Sequence, residues 1–265
     1  MSLNFCSLSS GSSGNCYVVF DEETALLIDA GISGKKILEG LGKINVPESR
    51  VKALLITHEH SDHIRSVRVV NKKLSHIKTY ANGATWQCID CQLDDTRRMV
   101  ISSGESFFVG GIEIVPFRTS HDAADSVGYT FRKAGSQISI LTDTGYVTDD
   151  AYETIGDADL LVIEANHDPQ VLRMCGRPLH VIKRIAGDLG HLSNEDAGKC
   201  ISRIVNAKRK TRQILLAHLS GENNSPDLAK ITVKNVLADR NIRIGDETRV
   251  DVIVRDRISP VYMVR

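Results

Sequence analysis

Short apolar runs separated by polar, glycine-rich breaks recur along the whole chain. Residues 3–8, 17–20 and 25–29 predict strands, and the first two flank a Ser/Gly-rich loop over 9–16 that is too small and flexible for regular structure. Residues 51–56 are nearly all apolar, as expected of a strand in the middle of a sheet covered on both faces. A short strand is expected at 78–81. Runs at 107–109 and 112–117 around Gly110-Gly111 predict a hairpin, and 126–133 with 137–141 predict another around Ala134-Gly135-Ser136. Further strands are expected at 160–164, 213–217 and 250–254. Helical spacing marks 33–41, stopped by Gly42, then 61–74, 84–93, 179–187, 194–206 and 226–239. No linker or short-period repeat divides the chain, so residues 1–265 are expected to form one α/β domain, two sheets with outer helices.

Composition is ordinary for a globular protein, with 42% hydrophobic and 25% charged residues. Lys+Arg and Asp+Glu both number 33, so no global basic field advertises a nucleic-acid partner. Locally, residues 203–212 concentrate cations, which read as a solvated helix end rather than a phosphate-facing patch. The first twenty residues lack a signal-peptide pattern, and no apolar run reaches spanning length, so a soluble, cytoplasmic protein with no membrane partner is expected. Six scattered cysteines favour reduced thiols. Cys88 and Cys91 are expected on one buried face of the 84–93 helix as core thiols, since no second pair completes a zinc ribbon.

The chemistry concentrates in Thr57-His58-Glu59-His60-Ser61-Asp62-His63, directly after the 51–56 strand. In an extended segment alternate side chains share a face, so His58, His60 and Asp62 can line one pocket while Glu59 points away. His63 joins them only if the chain turns into a helix near Ser61, whose hydroxyl is the expected N-cap. The remaining candidate ligands follow strand ends: His121, Asp143 and His218.

This set resembles the metallo-β-lactamase fold superfamily, whose ordered motifs fall on Asp29, His58/His60/Asp62/His63, His121, Asp143 and His218. The resemblance implies a four-layer αββα sandwich with two divalent metals. By it, His58, His60 and His121 would hold the first, Asp62, His63 and His218 the second, and Asp143 would bridge them. Asp29 would support the histidine-bearing loop without ligating. Asp143 replaces the Cys common in true β-lactamases, and His60 replaces the Glu of the diiron electron-transfer branch. Too few residues follow His218 for the glyoxalase II helical domain. Glu164 and His191 resemble the pair that tRNA 3′-processing enzymes place beside the scissile phosphate, without the long tRNA-gripping arm. Residues 11–16, 164–168, 190–194 and 218–224 are similar to the YycJ/VicX/WalJ family, which is associated with 5′-to-3′ DNA exonuclease activity.

The expected reaction is therefore two-metal phosphodiester hydrolysis, with a metal-bridging hydroxide attacking phosphorus. Asp62 would orient the nucleophile, and His191 would donate a proton to the leaving sugar oxygen with Glu164 fixing its tautomer. Ser13, Asn15, His167, Ser193 and Asn223 are read as substrate contacts; Lys183 and Arg184 are expected to be exposed helix charges. His and Asp ligands favour Zn and also admit Mn or Fe. The substrate is expected to be DNA; RNA and small or cyclic phosphodiesters are the alternatives.

Overall fold

The structure, a computed structural model, describes residues 2–90, 93–245 and 248–264. The first sheet contains strands β1 (Leu3–Ser9), β2 (Cys16–Phe20), β3 (Ala25–Ile28), β4 (Val51–Leu55), β5 (Lys78–Asn82) and β6 (Arg98–Ile101). The second contains β7 (Phe107–Val109), β8 (Ile112–Arg118), β9 (Val127–Lys133), β10 (Ser136–Leu141), β11 (Leu160–Glu164), β12 (Arg212–Ala217) and β13 (Thr248–Val252). The chain then returns to the first sheet, where β14 (Tyr262–Val264) pairs with β1. Among the described residues each sheet has seven strands, in the orders β14-β1-β2-β3-β4-β5-β6 and β13-β12-β11-β10-β9-β8-β7.

Alternation along the strands builds the layers. Phe5, Tyr17, Val19, Leu26, Ile28 and Leu55 face Tyr129, Phe131, Ile138, Ile140, Val162 and Leu215 between the sheets. The opposite faces of the first sheet, including Val18, Leu27 and Leu54, pack under the helices α1 (Gly34–Lys43), α2 (Ser61–Ile64), α3 (Val67–Lys73) and α4 (Gly83–Cys88). The outer face of the second sheet is covered by α5 (Asp149–Ile155), α8 (Asn194–Ala207) and α9 (Pro226–Ala238), while α6 (Pro169–Met174) and α7 (Leu179–Ile185) add no residue to that cluster. The result is the four-layer αββα sandwich.

The sequence left β6, β14, α5 and α6 unanticipated. They are short, and α5 buries only Ala151 and Ile155, too few positions to show a period. The expected helix over 84–93 stops at Cys88, which is exposed and not a core thiol; Cys91 lies outside the described residues. Most cations at 203–212 are spent internally: Arg203 pairs with Asp149, Lys208 with Asp157 and Lys210 with Asp159, while Arg209 is exposed. Arg212 is buried and donates to the carbonyls of Gly156, Ala158 and Lys208. Among the described residues no helix is long and apolar enough to cross a membrane.

The sheets are locked together at the end remote from the strand exits that carry His and Asp. Buried Asp21, in the β2–β3 turn, accepts N–H bonds from Glu23 and Thr24, both 2.8 Å, and pairs with Lys133 at the end of β9. Burial alone would push the Asp21 carboxyl up, but Lys133 and the two N–H groups more than offset it and hold the pKa below the ordinary value. A carboxyl depressed in the folded state stabilises above its unfolded pKa, about 4, and loses that contribution as the pH falls through the folded value. Asp21→Asn is therefore expected to destabilise by about 1–3 kcal/mol at pH 7, with the gap closing as pH falls from 5 towards 2. Urea unfolding across that range checks this; a pH-independent gap would contradict it.

Candidate metal centre

The parallel strands β3 and β4 of one sheet and β10, β11 and β12 of the other end at one rim of the sandwich. Asp29 follows β3, the histidine motif follows β4, Asp143 follows β10, Glu164 ends β11 and His218 follows β12. Asp29, Asp143 and His218 adopt φ of 62°, 55° and 53°. This left-handed region is uncommon outside glycine and collects at functional sites, because it costs about 1 kcal/mol or more that the surroundings must offset. Here it swings each carboxylate or imidazole out of the strand line and into the rim.

The motif leaves β4 extended and turns into α2 at Ser61, which brings His63 to the same side as His58. The cap position is His60, not Ser61, and no side chain caps the turn. The continuous helix expected over 61–74 is broken at Arg65 and Ser66. Carbonyls that would propagate it are already used: Asp62 O accepts from Asn15 N, His63 O from Ala30 N, and Ser66 N turns to Ala30 O. Backbone meets backbone here, so any side chain at Gly31 would collide with the carbonyl of Asp62.

The seven expected ligands meet at this rim. The donor atoms of His58, His60 and His121 lie within 4.8 Å of one another, and so do those of Asp62, His63 and His218. Asp143 stands between the trios, with Oδ2 3.5 Å from His63 Nε2 and Oδ1 3.9 Å from His121 Nε2. Asp62 Oδ2 is 3.6 Å from His63 Nε2 and 3.9 Å from His218 Nε2.

Outer atoms aim these donors. His63 Nδ1–H donates to Asp29 Oδ2 (2.7 Å), His218 Nδ1–H to Glu164 Oε1 (2.7 Å) and His121 Nδ1–H to Gly190 O (3.1 Å). His58 Nδ1 sits 3.0 Å from Thr57 Oγ1, whose proton goes to Asp29. Each Nε2 is thereby left facing inward. His58 Nε2, His218 Nε2 and Asp143 Oδ2 are buried with no hydrogen-bond partner. Buried polar atoms cost about 1–3 kcal/mol each when left unpaired, so a cation fits this donor set.

Electrostatics divide the trios. Burial, reinforced by the surrounding imidazoles, holds His58 well below its usual pKa, and burial likewise lowers His121. Both offer neutral nitrogens. For His63 burial opposes the charge, yet Asp143 and Asp29 overcome it and push the pKa up to about 9. Burial acts against Asp62 ionisation in turn, and His218 and His63 reverse it, holding its carboxyl well below the usual range. His58 and His121 thus favour their neutral forms, and the second trio is already paired with carboxylates.

Glu164 is fully buried. Its Oε1 serves His218 and His191 (2.8 Å), and its Oε2 accepts from Thr144 N and Leu192 N. With both oxygens occupied it is a positioning residue. The His191 ring stays 22% exposed at the mouth, and Glu164 raises its pKa against the pull of burial.

Four of the five residues expected to contact substrate, Asn15, His167, Ser193 and Asn223, are buried. Asn15 accepts from Gly11 N and sets its amide 3.1 Å from His63 Nε2. Ser193 caps α8 through Asp196 N. His167 bridges Ser193 through its backbone, and Asn223 O accepts from Asp168 N. The side chains of Asn15 and Ser193 build the loops, which a sequence cannot distinguish from phosphate binding, whereas His167 Nδ1 and Asn223 Oδ1 are buried without a hydrogen-bond partner. Ser13 is exposed, with Oγ donating to Asp256. Lys183 and Arg184 are both exposed helix cations as expected, and Arg184 also pairs with Asp122. Asp122 itself escaped the sequence reading: it sits beside His121, and only its partner's position reveals where its carboxylate points.

The sequence profile of the beta-lactamase superfamily domain matches residues 24–218. The chain is 39% identical over 259 residues to the exodeoxyribonuclease WalJ of Streptococcus pneumoniae, covering 96% of this chain and 95% of that one. It is 37% identical to the exodeoxyribonuclease YycJ of Bacillus anthracis, with 93% of each covered. In structure it is similar to the metallo-β-lactamase fold protein YhfI of Bacillus subtilis, with a TM-score of 0.74 at 16% identity, covering 99% of this chain and 100% of that one.

Glu164→Gln removes an anionic acceptor shared by His191 and His218. Metal affinity is expected to fall about 10–100-fold without loss of fold, read by competition with a chromophoric chelator. Unchanged affinity would show that Glu164 does not orient the ligands.

Proposed function

This chain belongs to the YycJ/WalJ-like family of the metallo-β-lactamase fold, and from that premise we propose that it degrades DNA from the 5′ end by hydrolysing one phosphodiester at a time. It is a metal-dependent hydrolase of phosphodiester bonds, a nuclease. The observation that carries the reading is the convergence of two ligand trios with unpartnered buried donors beside a partly open histidine paired with Glu164.

His58, His60 and His121 would hold one divalent ion, Asp62, His63 and His218 the other, and Asp143 would reach both. Zn suits the imidazoles best, and Mn or Fe suits the added carboxylates. The ions, when bound, supply positive charge against the phosphate oxygens and lower the pKa of water. Asp62, 22% exposed, orients the attacking water by accepting its hydrogen bond. His191 gives its Nε2 proton to the leaving sugar oxygen, while Nδ1–H stays on Glu164. The orientation Glu164 gives the ring is its contribution; no acidic atom of Glu164 reaches the groove.

A polymer substrate is supported by residues 169–190, which join β11 to His191. They carry Arg173, Arg177, Lys183 and Arg184 against Asp188, in a chain of zero net charge, with Arg177 paired to Glu222 and Arg184 to Asp122. They also expose Met174, Leu179 and Leu189, and α7 buries no residue. Cations interleaved with exposed apolar side chains suit a single strand, whose phosphates and bases they can contact together. The reduced, unpaired state of the described cysteines fits action in the cytoplasm.

Duplex DNA labelled at either end, digested by metal-loaded protein, is expected to release mononucleotides from the 5′ end. Chelation should abolish this, and His58→Ala should lower the rate at least about 100-fold. His191→Ala should slow turnover about 10²–10⁴-fold while metal content stays unchanged. Intact DNA beside cleaved RNA or a cleaved small phosphodiester would overturn the substrate assignment.

A further inference from the structure

Asp122 stands outside both trios, yet its geometry matches theirs. Its Oδ1 lies 3.5 Å from His121 Nε2 and 4.0 Å from His60 Nε2. The donor pairs within the trios and Asp143 span the same range, from 3.5 Å between His63 and Asp143 to 3.9 Å between His218 and Asp62. Ligands bound at about 2.0–2.2 Å in a tetrahedral array stand about 3.3–3.6 Å apart, so these spacings are those of donors sharing an ion before it draws them in. Oδ1 is also buried without a hydrogen-bond partner. The carboxylate is not free to turn that atom elsewhere: Oδ2 accepts from Arg184 Nε at 2.6 Å, and the Asp122 N–H donates to Leu189 O at 3.0 Å. A carboxylate present only to neutralise Arg184 would have no reason to aim its second oxygen at two imidazole nitrogens.

Charge points the same way. The first trio consists of three imidazoles with no carboxylate of its own, whereas the second contains Asp62. An anionic oxygen beside the three imidazoles would balance part of the charge of a dication there.

Resting on the two-metal reading above, we propose that Asp122 donates Oδ1 to the divalent cation held by His58, His60 and His121, with Arg184 fixing the carboxylate as Asp29 and Glu164 fix the histidines. The first site then has a carboxylate oxygen of its own besides the shared Asp143, which opens it further to Mn and Fe as well as Zn. Arg184 belongs to α7, so this ligand is also the link between the metal pair and the 169–190 segment.

The test is metal titration of chelated protein by calorimetry, with ion counting by mass spectrometry and the visible spectrum of the cobalt-substituted protein. The parent is expected to take up two ions. Asp122→Asn, close in shape, is expected to weaken one site 10–100-fold, leave the other within threefold and shift the cobalt spectrum. Arg184→Gln keeps the carboxylate but loosens its orientation, and is expected to weaken the same site less than Asp122→Asn does, leaving the other within threefold. Parental affinities and spectrum in Asp122→Asn overturn the proposal. So does an equal loss in Arg184→Gln, which would assign the effect to the ion pair. If Asp122→Asn fails to fold, Asp122→Glu must retain both ions, and loss of the second-trio ion from it would count against the proposal. A parent that binds fewer than two ions overturns the two-metal reading itself.

Discussion

Two buried carboxylates, Asp29 and Glu164, fix the arrangement on which everything at the rim depends. Each sits at or just beyond the end of a parallel strand, one in each sheet, and each holds the Nδ1–H of a histidine that would otherwise rotate. Asp29 also ties the backbone and hydroxyl of Thr57, so one side chain sets both the strand exit and the ring it delivers. Glu164 does the same for His218 and His191, joining a proposed metal ligand to the proposed proton donor. The imidazoles can present lone pairs inward only because these anions hold the protons outward.

The fold serves this placement. Two sheets stacked face to face bring the exits of β3 and β4 opposite those of β10 and β12, so residues remote in sequence meet without long loops. The cost appears as left-handed backbone at Asp29, Asp143 and His218 and as buried donors without partners. A packed core on both sides of each sheet and the Asp21–Lys133 lock at the far end offset that strain.

What the sequence revealed follows from how local each signal is. The His58–His63 motif is contiguous, and the apolar runs that become β4, β11 and β12 are buried on both faces, so both could be read directly. The break at Ser66 could not be read: it arises because loops 10–15 and 29–31, distant in sequence, claim the helix's first carbonyls. Nor could the roles of Asn15 and Ser193, since a small polar residue in a loop may cap a backbone or bind a ligand with the same chemistry. Asp122 is the sharpest case. Its neighbour His121 was evident as a candidate, but its own direction is set by Arg184 on a helix sixty residues away, by a tertiary contact.

The central claim is that two ligand trios, joined by Asp143, each hold an ion. Anomalous diffraction from crystals of the zinc-loaded protein tests it most directly. The account predicts two peaks about 3.5–4 Å apart, one among His58, His60 and His121 and one among Asp62, His63 and His218. A single peak, or peaks away from these residues, would contradict it.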